Sequence, residues 1–412
     1  MLNENQIDDL IQPLIDRQRE IEETVIMAIV RRIGKIKDLS PADVYKLERL
    51  YQTGSDAQKI NKRVAELTRE SESEIKKIIK TIAQDAYKDA KAFYDYREIP
   101  YIPYAENEAL QTIVEGVRRV TLADYTNLSN STAFMLRDPT NPLIIRPTPI
   151  ALTYQTVIDR AVQSVAMGIE SYNTLIPNAI RDLTQRGITV VDYTTDEGKP
   201  HRVRLDTVVR RNILDGIRDV QQKTQEYIGE QIGADGVEIS VHEFSAPDHE
   251  PIQGHQFSNE EYEKLQTGQP FEDVNGVKFG AIERPIGVWN CRHRTFHIIL
   301  SHSKPIYTLE QLEEIKKRNA DGITITDRDG NEVQKTKYWC TQKMRDYELR
   351  LRKAKEGEAA AEAANETDLE NEYKSKIYRL QNEYKAFCNQ RLGGTLSIRV
   401  FIYAKSPFHP GI

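Results

Sequence analysis

Apolar residues recur along the first hundred positions at helical spacing. Ile7, Leu10, Ile11, Leu14 and Ile15 fall at i, i+3, i+4, i+7 and i+8, and Ile21, Val25, Ile26, Ile29, Val30 and Ile33 prolong the same stripe. Asp38-Leu39-Ser40-Pro41 breaks the run. Ser40 suits an N-cap and Pro41 a first helical position, which predicts a second helix over 41–51. A third, strongly charged helix is predicted over 56–97 after a break near Gly54. EIPYIPYA (98–105) reads as an extended linker and 106–128 as a further helix. DPTNPLIIRPTP (138–149) carries four prolines in twelve residues and reads as an irregular connection before helices resume over 150–186.

At Gly187 the period changes. ITVVDY (188–193) and HRVRL (201–205) form a predicted hairpin, and Asp206 is placed as the cap of an Arg-rich helix ending near Gly233. VEISVH (237–242) reads as a strand, and Ser258 as the N-cap of SNEEYEKL. A short helix over 308–319 and a hairpin over 323–333, turning at Asp329-Gly330, follow. Residues 335–391 read as one or two long charged helices interrupted around Gly357 and Asn365, and LSIRVFIY (396–403) as a closing strand. The fold class is therefore α+β and mostly α-helical. It has a helical N-terminal region (1–147), a compact mixed α/β domain with His/Cys-rich loops (148–334), and a long C-terminal helical arm with its closing strand (335–412).

Composition narrows the setting. The chain has 412 residues, of which 39% are hydrophobic and 29% charged, and its net charge of -6 gives no global basic field to draw it onto nucleic acid. Three widely spaced cysteines, Cys291, Cys340 and Cys388, argue against a disulfide framework and fit a reducing compartment. MLNENQIDDL lacks the basic and apolar regions of a secretory signal. Windows such as ETVIMAIV are broken by charge well short of the roughly 20 residues that span a bilayer. A soluble protein with no membrane partner is expected.

The candidate chemistry is concentrated in one segment. Five of the eight histidines (His242, His249, His255, His293 and His297) lie close to Cys291. Two readings are open. His242, His249, Cys291 and His293 are zinc-type ligands, and Cys-x-His is a short two-ligand unit. Against this, zinc pairs more often have two to four intervening residues, and no second pair is present. In the plainer reading the imidazoles bridge backbone groups of a loop-rich region and Cys291 is a small buried apolar residue. A Cys291–His249 nucleophile pair can be drawn, but the chain has no Gly-x-Ser-x-Gly, Walker loop or HExxH.

Arg202, Arg204, Arg210 and Arg211 form a basic run, and Arg210 and Arg211 are the candidate DNA contacts. Arg345, Arg350, Arg352, Lys353 and Lys355 are interleaved with Asp346, Glu348 and Glu356 and read as a solvated helix face. The N-terminal helices suit either an autonomous bundle or a surface that docks on a partner.

Taken in order, SVH, PDH, QGH and NCRH resemble the phage minor capsid protein 2 family, related in arrangement to the Mu F-type head morphogenesis proteins. VEISVH supplies the strand leading to a first histidine. PDHEPIQGH supplies Asp248, Gln253, Gly254 and His255, with Ile252 where an aromatic residue is common, and GVWNCRHR supplies Asn290 and Arg292. PIYTLEQLEEIKKRN and TQKMRDYELRLRKAK follow in the family's order, and the Gly-hairpin and Arg-rich helix precede it. The resemblance covers roughly 148–356. Ser245-Ala246-Pro247 stands where relatives often carry an arginine before the second histidine.

The resemblance implies a low-copy structural protein of a tailed-phage head, located in the virion near the portal and assembled in the host bacterial cytoplasm. Its implied partners are the portal protein and other capsid proteins, with non-specific contact to packaged double-stranded DNA. The implied work is head assembly and DNA packaging or ejection, with no catalytic or cofactor-binding residues. The rival class is a metal-dependent or NAD-directed enzyme or effector carried on a head morphogenesis domain, and zinc is the one metal the cluster suggests.

Overall fold

The N-terminal apolar stripe is buried from Ile7 to Val30, with Leu10 half-buried, and it forms part of the core of the helical body. The computed structural model describes residues 4–36, 55–130, 135–137, 145–147, 172–187, 189–194, 200–242, 244–287, 291–326 and 330–389. The predicted helix at 41–51, the first part of the predicted helices at 150–186, the closing strand and Asn290 lie outside these residues. Helix α1 (Glu4–Ile36) buries Ile7, Ile11, Leu14, Ile15, Ile21, Val25, Ile26, Ile29 and Val30. It runs through Pro13, which points to solvent, so the helix need not break to satisfy a buried carbonyl.

Helices α2 (Ser55–Lys88), α4 (Glu108–Asn130), α5 (Tyr172–Arg186) and α6 (Leu205–Ile232) share one core with α1. The hairpin α9 (Lys337–Ala363) and α10 (Thr367–Asn389) joins the same core. Predominantly helical α+β architecture is therefore what the chain adopts. The helix predicted over 56–97 is divided at Asp89-Ala90 into α2 and the short α3 (Lys91–Tyr96).

The linker that follows is pinned by aromatic packing. Tyr101 stacks on Tyr87 at 5.1 Å between ring centroids and meets Tyr94 edge-on at 5.5 Å. Buried Asn107 closes the arrangement: its Oδ1 accepts the Leu110 N–H at 3.0 Å, capping α4, and the Tyr227 hydroxyl at 3.1 Å. Its Nδ2 donates to Tyr87 Oη at 3.2 Å. Asn107→Ala removes a cap and takes the acceptor from the half-buried Tyr227 hydroxyl, while Tyr87 Oη keeps its bond to Ile102 O, so urea unfolding should show a loss of about 1–2 kcal/mol.

Three sequence expectations need correction. The proline-rich stretch is not wholly irregular, because β2 (Ile145–Pro147) pairs antiparallel with β1 (Met135–Arg137), with Pro147 at the strand end. Asp206 does not cap α6. The helix starts at Leu205, and the Asp206 N–H is instead accepted at 3.0 Å by Glu22 Oε1 from α1. Gly357 does not interrupt α9, and the chain turns at Asn365, which takes the left-handed conformation (φ 58°).

The predicted hairpins β3 (Thr189–Thr194) with β4 (Pro200–Arg204), and β10 (Ile323–Thr326) with β11 (Glu332–Lys335), are present, as is the predicted short helix, α8 (Leu309–Ala320). The mixed region is built on a three-stranded antiparallel sheet in the order β6 (Gln256–Ser258), β5 (Gly236–Ile239), β9 (Thr295–Ile298). A small hairpin, β7 (Phe271–Glu272) with β8 (Lys278–Phe279), and helix α7 (Asn259–Gln266) close over it. Ser258 caps α7 by accepting the Glu261 N–H. The core beneath is small: Ile239, Ile252, Phe257, Leu265, Phe271, Ile282, Ile286 and Cys291.

Candidate functional site

Three of the predicted ligands converge where the loop after β5 meets the approach to β9. The pairing of β5 with β9 places Ile239 opposite Thr295, and Ser240 N–H donates to Arg294 O at 2.8 Å. This register brings residues 291–294 alongside the loop that carries His249. His249, Cys291 and His293 are buried, and their candidate ligand atoms all lie within 4.8 Å of one another. Cys291 Sγ is 3.4 Å from His249 Nδ1 and 3.5 Å from His293 Nδ1. His242 is half-buried beside them, its ring 4.2 Å from that of His293.

The outer ring nitrogens are engaged by the protein. His249 Nε2 lies 2.6 Å from Arg284 O. His293 Nε2 lies 3.4 Å from both Gln253 Oε1 and Ser245 Oγ. Gln253 Oε1 also accepts the His242 backbone N–H at 3.2 Å. Burial is the main cause of every resolved shift in the trio. It lowers His249, lowers His293 to about 2 with help from the neighbouring imidazoles, and raises the Cys291 thiol. Left to itself the cluster holds neutral rings and a protonated thiol, the opposite of the thiolate–imidazolium pair that nucleophilic catalysis requires.

The other motif residues brace the same loops. Asp248 accepts both Arg284 Nε and Nη2, each at 2.9 Å, and so fixes the segment whose carbonyl faces His249. Gly254 takes φ +77° where its N–H donates to Ile239 O at 2.8 Å, and a side chain there would meet Leu312 and Val241. His255 Nδ1 meets Asp273 Oδ2 at 2.7 Å, outside the trio. Asp273 in turn accepts the Asn275 and Val277 N–H groups at 2.8 Å, tying the β7–β8 turn to the Gln253-Gly254-His255 turn. His297 is also apart from the cluster, its ring packed over Gly229 of α6.

Asp273 and Arg284 were missed by sequence reasoning. The turn sequence DVNG was a readable signal for Asp273, whereas Arg284 contributes a backbone carbonyl, which no side-chain pattern reveals.

The basic residues are largely engaged inside the protein. Arg210 pairs with Asp8 at 2.9 Å, and Arg292 faces the same carboxylate at 3.8 Å. Arg211 is half-buried on α6. Arg352 is not on a solvated face: it meets buried Asp206 at 2.6 Å. Among the described residues, no helix is long and apolar enough to cross a membrane.

The described residues thus form a large helical body that carries a small, loop-braced mixed unit. The chain belongs to the phage minor capsid protein 2 family, whose model matches residues 2–389. It is accordingly a structural component of a phage head, and the virion is its place. The match reaches well beyond the 148–356 stretch in which motifs were recognisable and takes in the N-terminal helices. No curated protein and no solved structure is significantly similar to the chain.

Proposed function

We propose that this protein is a low-copy component of a tailed-phage head that docks at or near the portal vertex and acts in head assembly and in DNA packaging or ejection. The observation that carries the reading is the family match across nearly the whole chain. The helical body supports it. Helices α1, α2, α4, α5, α6, α9 and α10 bury their apolar faces in one another, so the docking unit is a preformed body rather than a set of loose helices that fold on the partner. The partners are the portal protein and neighbouring capsid proteins, engaged through helical surfaces. Non-specific DNA contact at Arg210 would have to displace the Asp8 ion pair, so protein–protein docking is the primary interaction.

Quantitative mass spectrometry of purified DNA-filled particles tests the reading. A reproducible copy number comparable to or below that of the portal, with cross-links to portal peptides, is the expected result. Absence from particles, or a copy number that tracks the major capsid protein, would overturn the portal-vertex assignment.

A further inference from the structure

The histidine–cysteine trio has a hydrogen-bonding deficit that its own atoms cannot close. Arg284 O can only accept, so His249 Nε2 at 2.6 Å carries the ring proton and Nδ1 is a bare lone pair. Gln253 Oε1 already accepts the His242 backbone N–H, which marks it as the amide oxygen. His293 Nε2, at 3.4 Å, therefore donates to it, and His293 Nδ1 is bare as well. Ser245 Oγ, 3.4 Å from the same Nε2, donates to Ala246 O at 3.3 Å and is free to accept from the ring.

Both bare Nδ1 atoms face one sulfur, at 3.4 and 3.5 Å. A thiol has one hydrogen and can satisfy one of them. The other is left as a buried acceptor against sulfur lone pairs, with its hydrogen bond unmade. A cation between the three atoms satisfies all of them at once.

We propose that His249 Nδ1, Cys291 Sγ and His293 Nδ1 ligate a structural zinc(II) ion, with His242 supplying the fourth ligand. Zinc–sulfur and zinc–nitrogen bonds of about 2.3 and 2.0–2.1 Å at a tetrahedral angle place sulfur and nitrogen about 3.5 Å apart. The two observed separations match that value. A thiolate with imidazoles is a donor set for zinc and not for magnesium or calcium, which take oxygen ligands. The outward N–H groups of both rings already point at a carbonyl and an amide oxygen, the partners that orient metal-bound imidazoles. His242 is half-buried with its ring centroid 4.2 Å from that of His293; it lies outside the group of ligand atoms within 4.8 Å of one another, so its side chain turns inward to complete the site.

On binding, the sulfur–metal bond replaces the Cys291 S–H bond and the proton leaves to solvent, so the pocket exchanges a neutral thiol for a thiolate compensated by the dication. The ion clips the 244–255 loop to the approach to β9 above a core of eight buried residues, a size at which small folds commonly need a covalent or metal staple.

The full chain, purified without chelator from zinc-replete cells, should carry about one zinc per chain by elemental mass spectrometry. Cys291→Ser and His293→Ala should fall below about a tenth of an equivalent. If those variants fail to fold, the wild type decides: cobalt(II) exchanged into it should show the intense visible bands of a tetrahedral site and a sulfur-to-cobalt charge-transfer band. A folded wild type that holds less than a tenth of an equivalent of zinc and shows no charge-transfer band with cobalt overturns the proposal. A cobalt spectrum in His242→Ala identical to wild type overturns the assignment of the fourth ligand. Neither result depends on where in the head the protein sits.

Discussion

Replacing Arg204 with methionine should lower the free energy of unfolding at neutral pH by about 3–5 kcal/mol, because it takes the shared hydrogen-bond and charge partner from a buried cluster of acidic side chains. Arg204, at the start of α6, donates to Glu22 Oε2 of α1 at 2.9 Å and to both oxygens of Glu356 on α9, at 3.2 and 2.9 Å. Asp206 lies 3.7 Å from Arg204 Nε and is held on its other side by Arg352 at 2.6 Å. The side chains of Arg204, Glu22, Asp206 and Glu356 are all less than a tenth exposed. Removing the guanidinium leaves Glu22 and Glu356 facing each other without their common partner. Chemical denaturation of Arg204→Met measures the loss, and the triple variant that adds Glu22→Gln and Glu356→Gln should recover part of it. A loss below about 1 kcal/mol would mean that the cluster contributes little as a unit.

The same cluster makes stability depend on pH in an unusual direction. Burial, together with the charges of Asp206 and Glu356, pushes the Glu22 carboxyl up to about 8, and burial with Glu356 pushes Glu23 up to about 7. The unfolded chain releases these protons near 4.5. Between that value and about 8 the folded state therefore holds more protons, and the contribution of these groups to stability declines as pH rises. Comparison of wild type with Glu22→Gln at pH 5 and pH 8 isolates the effect of Glu22. The wild type should lose stability relative to the variant on going to the higher pH. An unchanged difference would show that Glu22 titrates alike in both states.

These ion pairs mark the limit of what the sequence makes legible. The stripe from Ile7 to Val30 is local, repeats at helical period and could be read directly, as could the Ser258 cap and the Asn365 break. Arg204 read as one member of a basic run and Arg352 as part of a solvated face, because their partners lie far along the chain. Glu22 is 182 positions from Arg204 and Glu356 is 152. No local pattern pairs them. The same contacts explain why Asp206 was misplaced as a cap: the acceptor at the start of α6 comes from another helix. For the candidate site, residue types and order were visible but convergence was not. It depends on the β5–β9 register and on the carbonyl of Arg284, and neither leaves a signature in side-chain identity.

Gly357 carries the second large effect. It sits inside α9, where a glycine costs helix stability of about 0.8–1.0 kcal/mol relative to alanine, so taken alone Gly357→Ala should be favourable. The packing reverses the sign. The ring of Tyr373 on α10 occupies the space that a Cβ at this position would need. Tyr373 is buried, and its hydroxyl lies 3.3 Å from Thr184 Oγ1 on α5, so the ring is held from behind and has little room to retreat. Ala354, Ala360, Ala361 and Ala364 are buried in the same neighbourhood, and these small residues let α9 approach its neighbours closely. The alanine-rich stretch, simple as sequence, is thus a close-packing surface. Gly357→Ala should cost about 1–3 kcal/mol, the usual range for overpacking, and Gly357→Val more. The double variant Gly357→Ala with Tyr373→Leu separates the causes. If the steric conflict is responsible, the double variant is less destabilised than the sum of the two single changes, by a coupling of about 0.5–3 kcal/mol. Simple additivity would instead place the cost in the helix backbone and remove the close approach of α9 and α10 as its explanation.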